Sequence, residues 1–169
     1  SHVGIDRVSY VRVIFKTLLS GDRSSGGGST ITQQLAKNLY GRKNLGILTL
    51  PVAKIREAII AYRLEKVYSK DEIILLYLNS IPFGENVYGI EAAAQRFFSK
   101  STPNLKIEQI ALLVGMLKAN TFYNPRINPE NSLKRRNLVL QLMVEQKYLT
   151  QSTVDSLKNL PPRLNYSNY

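Results

Sequence analysis

Apolar residues in this chain recur three and four positions apart over nearly its whole length, and no two segments alternate as paired strands would. After Asp6, an expected N-cap, Val8, Val11, Phe15, Leu18 and Leu19 keep helical spacing as far as Ser20-Gly21. A polar Gly-rich loop, Gly21 to Gly28, comes next. Ser29 or Thr30 then caps a second helix reaching about Tyr40, and Thr30-Ile31-Thr32-Gln33 fits a capping box. The pattern predicts a long helix over roughly Val52 to Val67. Another is expected from the capping box Ser69-Lys70-Asp71-Glu72 to about Leu78. Shorter helices are expected over Gly89–Phe98 and Ile107–Ala119, a long one after Asn128-Pro129 to about Gln146, and a last one after Thr150. The expected fold is one all-α domain spanning 1–169, with no linker and no internal repeat.

One stretch does not obey the period. Between Leu39 and Val52, Gly41, Gly46 and Pro51 interrupt the helix pattern, while Leu45, Ile47, Leu48, Leu50 and Val52 are apolar without a face. The longest near-continuous apolar run, Ile110 to Leu117, is far short of the roughly 20 residues that cross a bilayer.

Charge narrows the partners. Lys and Arg number 23 against 12 Asp and Glu, a formal net charge of +11, which favours anionic partners: nucleic acid, lipid headgroups or phosphorylated substrates. Without cysteine and with His2 as the single histidine, the chain can hold neither a thiolate site nor a multi-histidine metal centre. It opens Ser-His with no leader pattern, so it reads as a piece of something longer.

Two segments could carry chemistry. Gly26-Gly27-Gly28-Ser29-Thr30 entering a helix is either an anion cradle of backbone N–H groups or a plain loop before a capped helix; the ending of a Walker loop is missing. On the helix that follows, Thr30, Gln33 and Lys37 share a face, with Gln34 and Asn38 beside them. Such a set binds sugar hydroxyls and phosphate oxygens, or is simply solvated. In Lys54-Ile55-Arg56-Glu57, Lys54 and Glu57 stand at i, i+3 and can pair, either on the surface or in a cleft where they would hold a pyrophosphate. Tyr62, Tyr68 and Tyr77 are read as core, Ala92 to Ala94 and Gly115 as close helix packing, and Asn124-Pro125 as a structural turn.

Taken together, these segments closely resemble the peptidoglycan glycosyltransferase domain, glycosyltransferase family 51, found in bifunctional penicillin-binding proteins and monofunctional transglycosylases. The family's second motif is matched by Gly27-Gly-Ser-Thr-Ile-Thr-Gln-Gln-Leu-Ala-Lys-Asn38 and its third by Lys54-Ile-Arg-Glu57. Its fourth is matched by Ser69-Lys-Asp-Glu-Ile-Ile-Leu-Leu-Tyr-Leu-Asn79 with Pro82-Phe-Gly and Gly89-Ile-Glu-Ala-Ala-Ala94. The fifth is matched by Ala111-Leu-Leu-Val-Gly-Met-Leu117 with Tyr123-Asn-Pro125. Of the first motif only His2-Val3-Gly4 stands here, which puts the family's catalytic-base glutamate before Ser1 and makes this an N-terminally truncated, inactive piece. The third motif usually opens Arg-Lys, whereas Ala53 stands here, leaving Arg56 to supply that charge or the site weaker; Leu75 replaces a frequent Glu in the fourth.

The resemblance implies a lysozyme-like helical fold with a small, partly apolar subdomain, about residues 39–53, facing the membrane. It implies an inverting polymerisation of lipid II into β-1,4-linked glycan strands, with release of polyprenyl pyrophosphate. Lys54 would stabilise that pyrophosphate, with a divalent cation (Mg or Mn), and Glu57 would orient Lys54 or the metal or assist the acceptor. Ser29, Thr30, Gln33, Gln34, Lys37, Asn38 and Arg56 would bind substrate. The implied partners are lipid II, the growing strand on its carrier, the membrane surface and a transpeptidase domain after Tyr169; the implied place is the outer face of the bacterial cytoplasmic membrane, with an upstream anchor. No Ser-x-x-Lys or Lys-Thr-Gly occurs here, so transpeptidation lies outside this chain. Two competing readings are a lytic enzyme of the lysozyme class and a basic nucleic-acid-binding module resting on Lys134, Arg135 and Arg136.

Overall fold

A computed structural model of the chain describes residues 30–167. The helix expected after Asp6, the Gly-rich loop, Ser29 and His2-Val3-Gly4 lie outside the described residues. Among those described, seven α-helices follow one another: α1 (Ile31–Tyr40), α2 (Thr49–Val67), α3 (Lys70–Ser80), α4 (Ile90–Phe98), α5 (Ile107–Met116), α6 (Pro129–Glu145) and α7 (Gln151–Leu157). Two 3-10 turns, Gly46–Leu48 and Thr102–Asn104, punctuate them. There is no sheet among the described residues, only an isolated bridge between Pro82 and Tyr88, so the all-α expectation is borne out.

Both predicted capping boxes form. Thr30 Oγ1 accepts from Gln33 N while Gln33 Oε1 accepts from Thr30 N, each at 3.2 Å. Ser69 and Glu72 do the same at the start of α3. Each cap satisfies donors that a helix end leaves orphaned.

Two boundaries differ from expectation. Helix α2 begins at Thr49 and takes in Pro51, because a proline in the first turn gives up an N–H that has no intrahelical partner anyway. Helix α5 stops at Met116 rather than Ala119. Beyond it Leu117 leaves the fully buried layer and Lys118 is exposed.

Helix α5 is the centre of the molecule: every residue from Gln109 to Met116 is buried. It packs most extensively on α6, and α1 packs on both α2 and α3. Gly115 allows the α5–α6 approach, since a Cβ there would lie 3.0 Å from Arg135 Cγ. On α4, Ala93, Ala94, Phe97 and Phe98 form a completely buried face, as the Ala-rich run suggested. Burying each such Phe contributes about 1.5–3 kcal/mol.

Of the three tyrosines expected in the core, only Tyr77 is there; Tyr62 and Tyr68 are exposed on and just after α2. Arg136, read from the sequence as part of a basic surface run, is instead fully buried. Its guanidinium donates to the carbonyls of Leu160 at 2.7 Å and Lys158 at 2.8 Å, fastening the segment after α7 to α6.

A second polar knot closes the opposite loop. Glu85, at a left-handed φ of 53°, accepts from Arg96 at 2.9 Å and from Arg126 and Asn124 at 3.0 Å. Burial pushes its carboxyl up, but the bonds from Arg96, Asn124 and Arg126 outweigh this and hold it below the ordinary value. Asn124 is buried and its Oδ1 accepts from Arg126 N at 2.8 Å, the structural turn that Asn124-Pro125 promised.

Candidate active site

Helix α2 carries the centre of the site. Its inward stripe is Ala53, Glu57 and Ala61, three buried positions one turn apart. Two alanines and a carboxylate make a poor apolar seam, so the glutamate is there for its charge. It is 4% exposed.

Two cations meet it. Lys54 Nζ lies 3.0 Å from Glu57 Oε2, the pairing that the i, i+3 spacing predicted. Arg42 Nε lies 2.9 Å from Oε1. Burial pushes the Glu57 carboxyl up, but hydrogen bonds and charge from Arg42 and Lys54 together bring it below its usual 4.5. Glu57 is therefore a buried, ionised group held from both sides at neutral pH.

Arg42 was not legible in the sequence as a site residue. It sits in the irregular stretch after α1, fifteen positions from its partner, where no periodicity links the two. The only available signal was the buried-carboxylate rule: an acid on the inner face of a helix needs its oxygens satisfied.

The α1 residues are arranged as follows. Thr30 and Gln33 use each other in the cap. Gln34 accepts at Oε1 from the Tyr77 hydroxyl at 3.1 Å, so α3 orients it from the core side. Burial pushes the Tyr77 phenol up to about 12, which keeps it a neutral donor. Lys37 is exposed near the helix end and Asn38 is half-buried. Inward, Thr32 Oγ1 donates to Glu65 at 2.7 Å, locking α1 against α2.

Arg56 is placed apart from this pair. It lies on the other flank of α2, its guanidinium 5.8 Å from the Tyr40 ring centroid. With Val52, Ile55, Ile59 and Arg63 it lines an apolar groove of about 710 Å³. The second cation at Glu57 comes from Arg42, not from Arg56.

Beside the site, the stretch around residues 39–53 leaves its apolar side chains exposed. Leu45, Ile47, Leu48, Leu50 and Val52 all face outward, Ile47 at 96%. Ile55, Ile59 and Val67 continue the surface along α2. Among the described residues, no helix is long and apolar enough to cross a membrane.

A family model described as Transglycosylase matches residues 1–144. The chain belongs to the transglycosylase family. It is 43% identical over 160 residues to penicillin-binding protein 1A of Aquifex aeolicus (strain VF5), covering 95% of this chain and 21% of that protein. It is 38% identical over 165 residues to penicillin-binding protein 1A of Escherichia coli (strain K12), covering 98% and 19%. The crystal structure of penicillin-binding protein 1A from Haemophilus influenzae matches with a TM-score of 0.56 and 37% identity, over 59% of this chain and 15% of that one. The chain thus spans about a fifth of the length of the curated relatives it matches.

A resident divalent cation would need free carboxylate oxygens at this transglycosylase site. Both Glu57 oxygens are engaged by cationic groups, and no group of three or more His, Cys, Asp or Glu stands together among the described residues. A metal ion there would have one carboxylate oxygen shared with an ammonium or guanidinium. The described residues do not fit a resident metal.

Proposed function

We propose that this domain is a peptidoglycan glycosyltransferase that joins lipid II units into β-1,4-linked glycan with inversion at the anomeric carbon. The observation that carries the reading is the Arg42–Glu57–Lys54 clamp beside an exposed apolar surface. A lipid-linked donor needs both: positive charge where pyrophosphate leaves, and a flank that can rest among lipids.

In this reading the acceptor 4-hydroxyl attacks the donor's anomeric carbon while the bond to polyprenyl pyrophosphate breaks. A carboxylate preceding Ser1, in the motif of which His2-Val3-Gly4 is part, takes the hydroxyl proton. Lys54 faces the developing charge on the leaving group, and Glu57 holds its ammonium in place. A divalent cation, Mg or Mn, would come with the pyrophosphate as part of the substrate and would supply further positive charge against the leaving group. Gln34, Lys37 and Asn38 on α1, with Ser29, Thr30 and Gln33 at its start, contact the donor sugar and phosphates. Arg56 acts on the groove side, toward lipid headgroups. The surface of Leu45 to Val52 rests on the outer face of the cytoplasmic membrane, with an anchor upstream and a transpeptidase domain following.

The competing readings lose their footing in the geometry. A lytic enzyme of the lysozyme class needs neither the cationic clamp around Glu57 nor an exposed apolar flank beside it, and both are present. The nucleic-acid reading rested on a basic run whose third member, Arg136, is buried.

The test is lipid II polymerisation by this chain and by a version extended upstream of Ser1. Product only from the extended protein supports both the reaction and the location of the base. No product from either protein overturns the reading.

A further inference from the structure

We propose that Arg42 is a positioning residue for this reaction: it holds the Glu57 carboxylate from outside α2, so the geometry of the site depends on the loop of residues 41–48. The inference rests on the function proposed above.

On α2, the positions that can reach Glu57 from the preceding turn are Ala53 and Lys54. Ala53 offers a methyl group and is itself buried. The helix therefore supplies one cation to a carboxylate with two oxygens, and the second oxygen of a buried acid cannot be left bare without cost. Arg42 fills that role by reaching across from the loop, Nε to Oε1 at 2.9 Å.

Among the described residues, the other hydrogen bonds of the loop that delivers Arg42 are local. Gly41 has a φ of 59°, and a Cβ there would meet nothing within 4 Å, so the turn out of α1 is open. Leu45 N donates to Thr49 Oγ1 and Gly46 N to Asn44 Oδ1, both local bonds. The ion pair to Glu57 ties this loop to a buried side chain. A few residues further along stand the exposed Leu45, Ile47 and Leu48. One short loop thus carries both the apolar surface and the second hold on the site carboxylate. Among the described residues, the charged groups that act on Glu57 are Arg42 from the loop and Lys54 from α2.

The experiment uses the full-length protein in detergent, as wild type, Arg42→Ala and Arg42→Lys. Lipid II polymerisation is followed against pH, and the Glu57 carboxyl is titrated by 13C NMR, with Glu57→Gln assigning the signal. Arg42→Ala is expected to lower kcat by about tenfold or more while KM changes less, because orientation is lost rather than binding. Its Glu57 midpoint and the acid limb of its kcat profile are expected at higher pH, and Arg42→Lys should return both part of the way. A loop tether with no bearing on Glu57 would lower activity without moving either. An unchanged Glu57 midpoint in Arg42→Ala overturns the proposal. Should the wild type make no glycan, the polymerase reading falls, while the NMR titration still decides whether Arg42 holds Glu57.

Discussion

The hydroxyl of Tyr77 on α3 donates to Oε1 of Gln34 on α1 at 3.1 Å, so the core side fixes the orientation of an amide on the helix proposed to bind the donor. Tyr77 is 2% exposed, and its ring is part of the main apolar cluster. Tyr77→Phe keeps the ring and removes the bond. Urea denaturation should show a loss of about 1 kcal/mol, the usual net worth of one such hydrogen bond. If Gln34 contacts the donor, KM for lipid II should rise with kcat changed less. A KM equal to wild type would remove Gln34 from the donor site.

Glu57 gives a prediction with a sign. Its carboxyl is held below the usual 4.5 by Arg42 and Lys54, so the ionised form is favoured in the folded state. A depressed folded value contributes stability that is fully present above the unfolded value and is lost as pH falls through the folded one. Glu57→Gln cannot make this contribution. The stability gap between wild type and Glu57→Gln should therefore be widest at neutral pH and close as pH falls through and below the ordinary glutamate range. Polymerisation by the upstream-extended variant should fall by about a hundredfold or more. A gap that does not depend on pH would mean that the clamp is not ionic.

Arg136 separates a buried role from a surface one. Replacing it with Met keeps length and removes the donors, which leaves the Leu160 and Lys158 carbonyls without partners. The expected cost is about 2–4 kcal/mol in chemical denaturation. Lys134→Ala, on the exposed face of α6, should change stability by less than about 0.5 kcal/mol. Equal effects from the two substitutions would contradict the burial of Arg136.

What the sequence revealed and what it hid divide along the range of the interactions. Local rules found the helices: Thr30 with Gln33 and Ser69 with Glu72 cap where the spacing put them, and Lys54 meets Glu57 one turn away. Residues whose role depends on distant chain were missed. Arg42 reaches Glu57 across fifteen positions, and Arg136 is buried by carbonyls more than twenty positions away. Tyr62 and Tyr68 were misplaced because an aromatic at helical spacing usually faces the core, whereas the outer flank of α2 is itself apolar. Pro51 interrupts the helical pattern in the sequence, although the first turn of a helix accepts proline.

That outer flank yields the last prediction. Ile47 and Leu48 lie in the 3-10 turn leading into α2, 96% and 58% exposed, and neither belongs to the apolar core. Exposure of this kind costs a protein in water and is repaid only where the surface meets something apolar. If that is a bilayer, each of these side chains contributes about 1.5–3 kcal/mol on entering it. Ile47→Asp with Leu48→Asp should then weaken association with vesicles by at least about a hundredfold, measured by co-sedimentation. Because both residues are solvent-exposed, thermal or urea stability should stay within about 0.5 kcal/mol of wild type. Loss of stability together with vesicle binding would mean that the turn supports the fold rather than a membrane contact. Undiminished binding with stability intact would place the contact elsewhere on the apolar flank, with Ile55 and Ile59 on α2 the next to substitute.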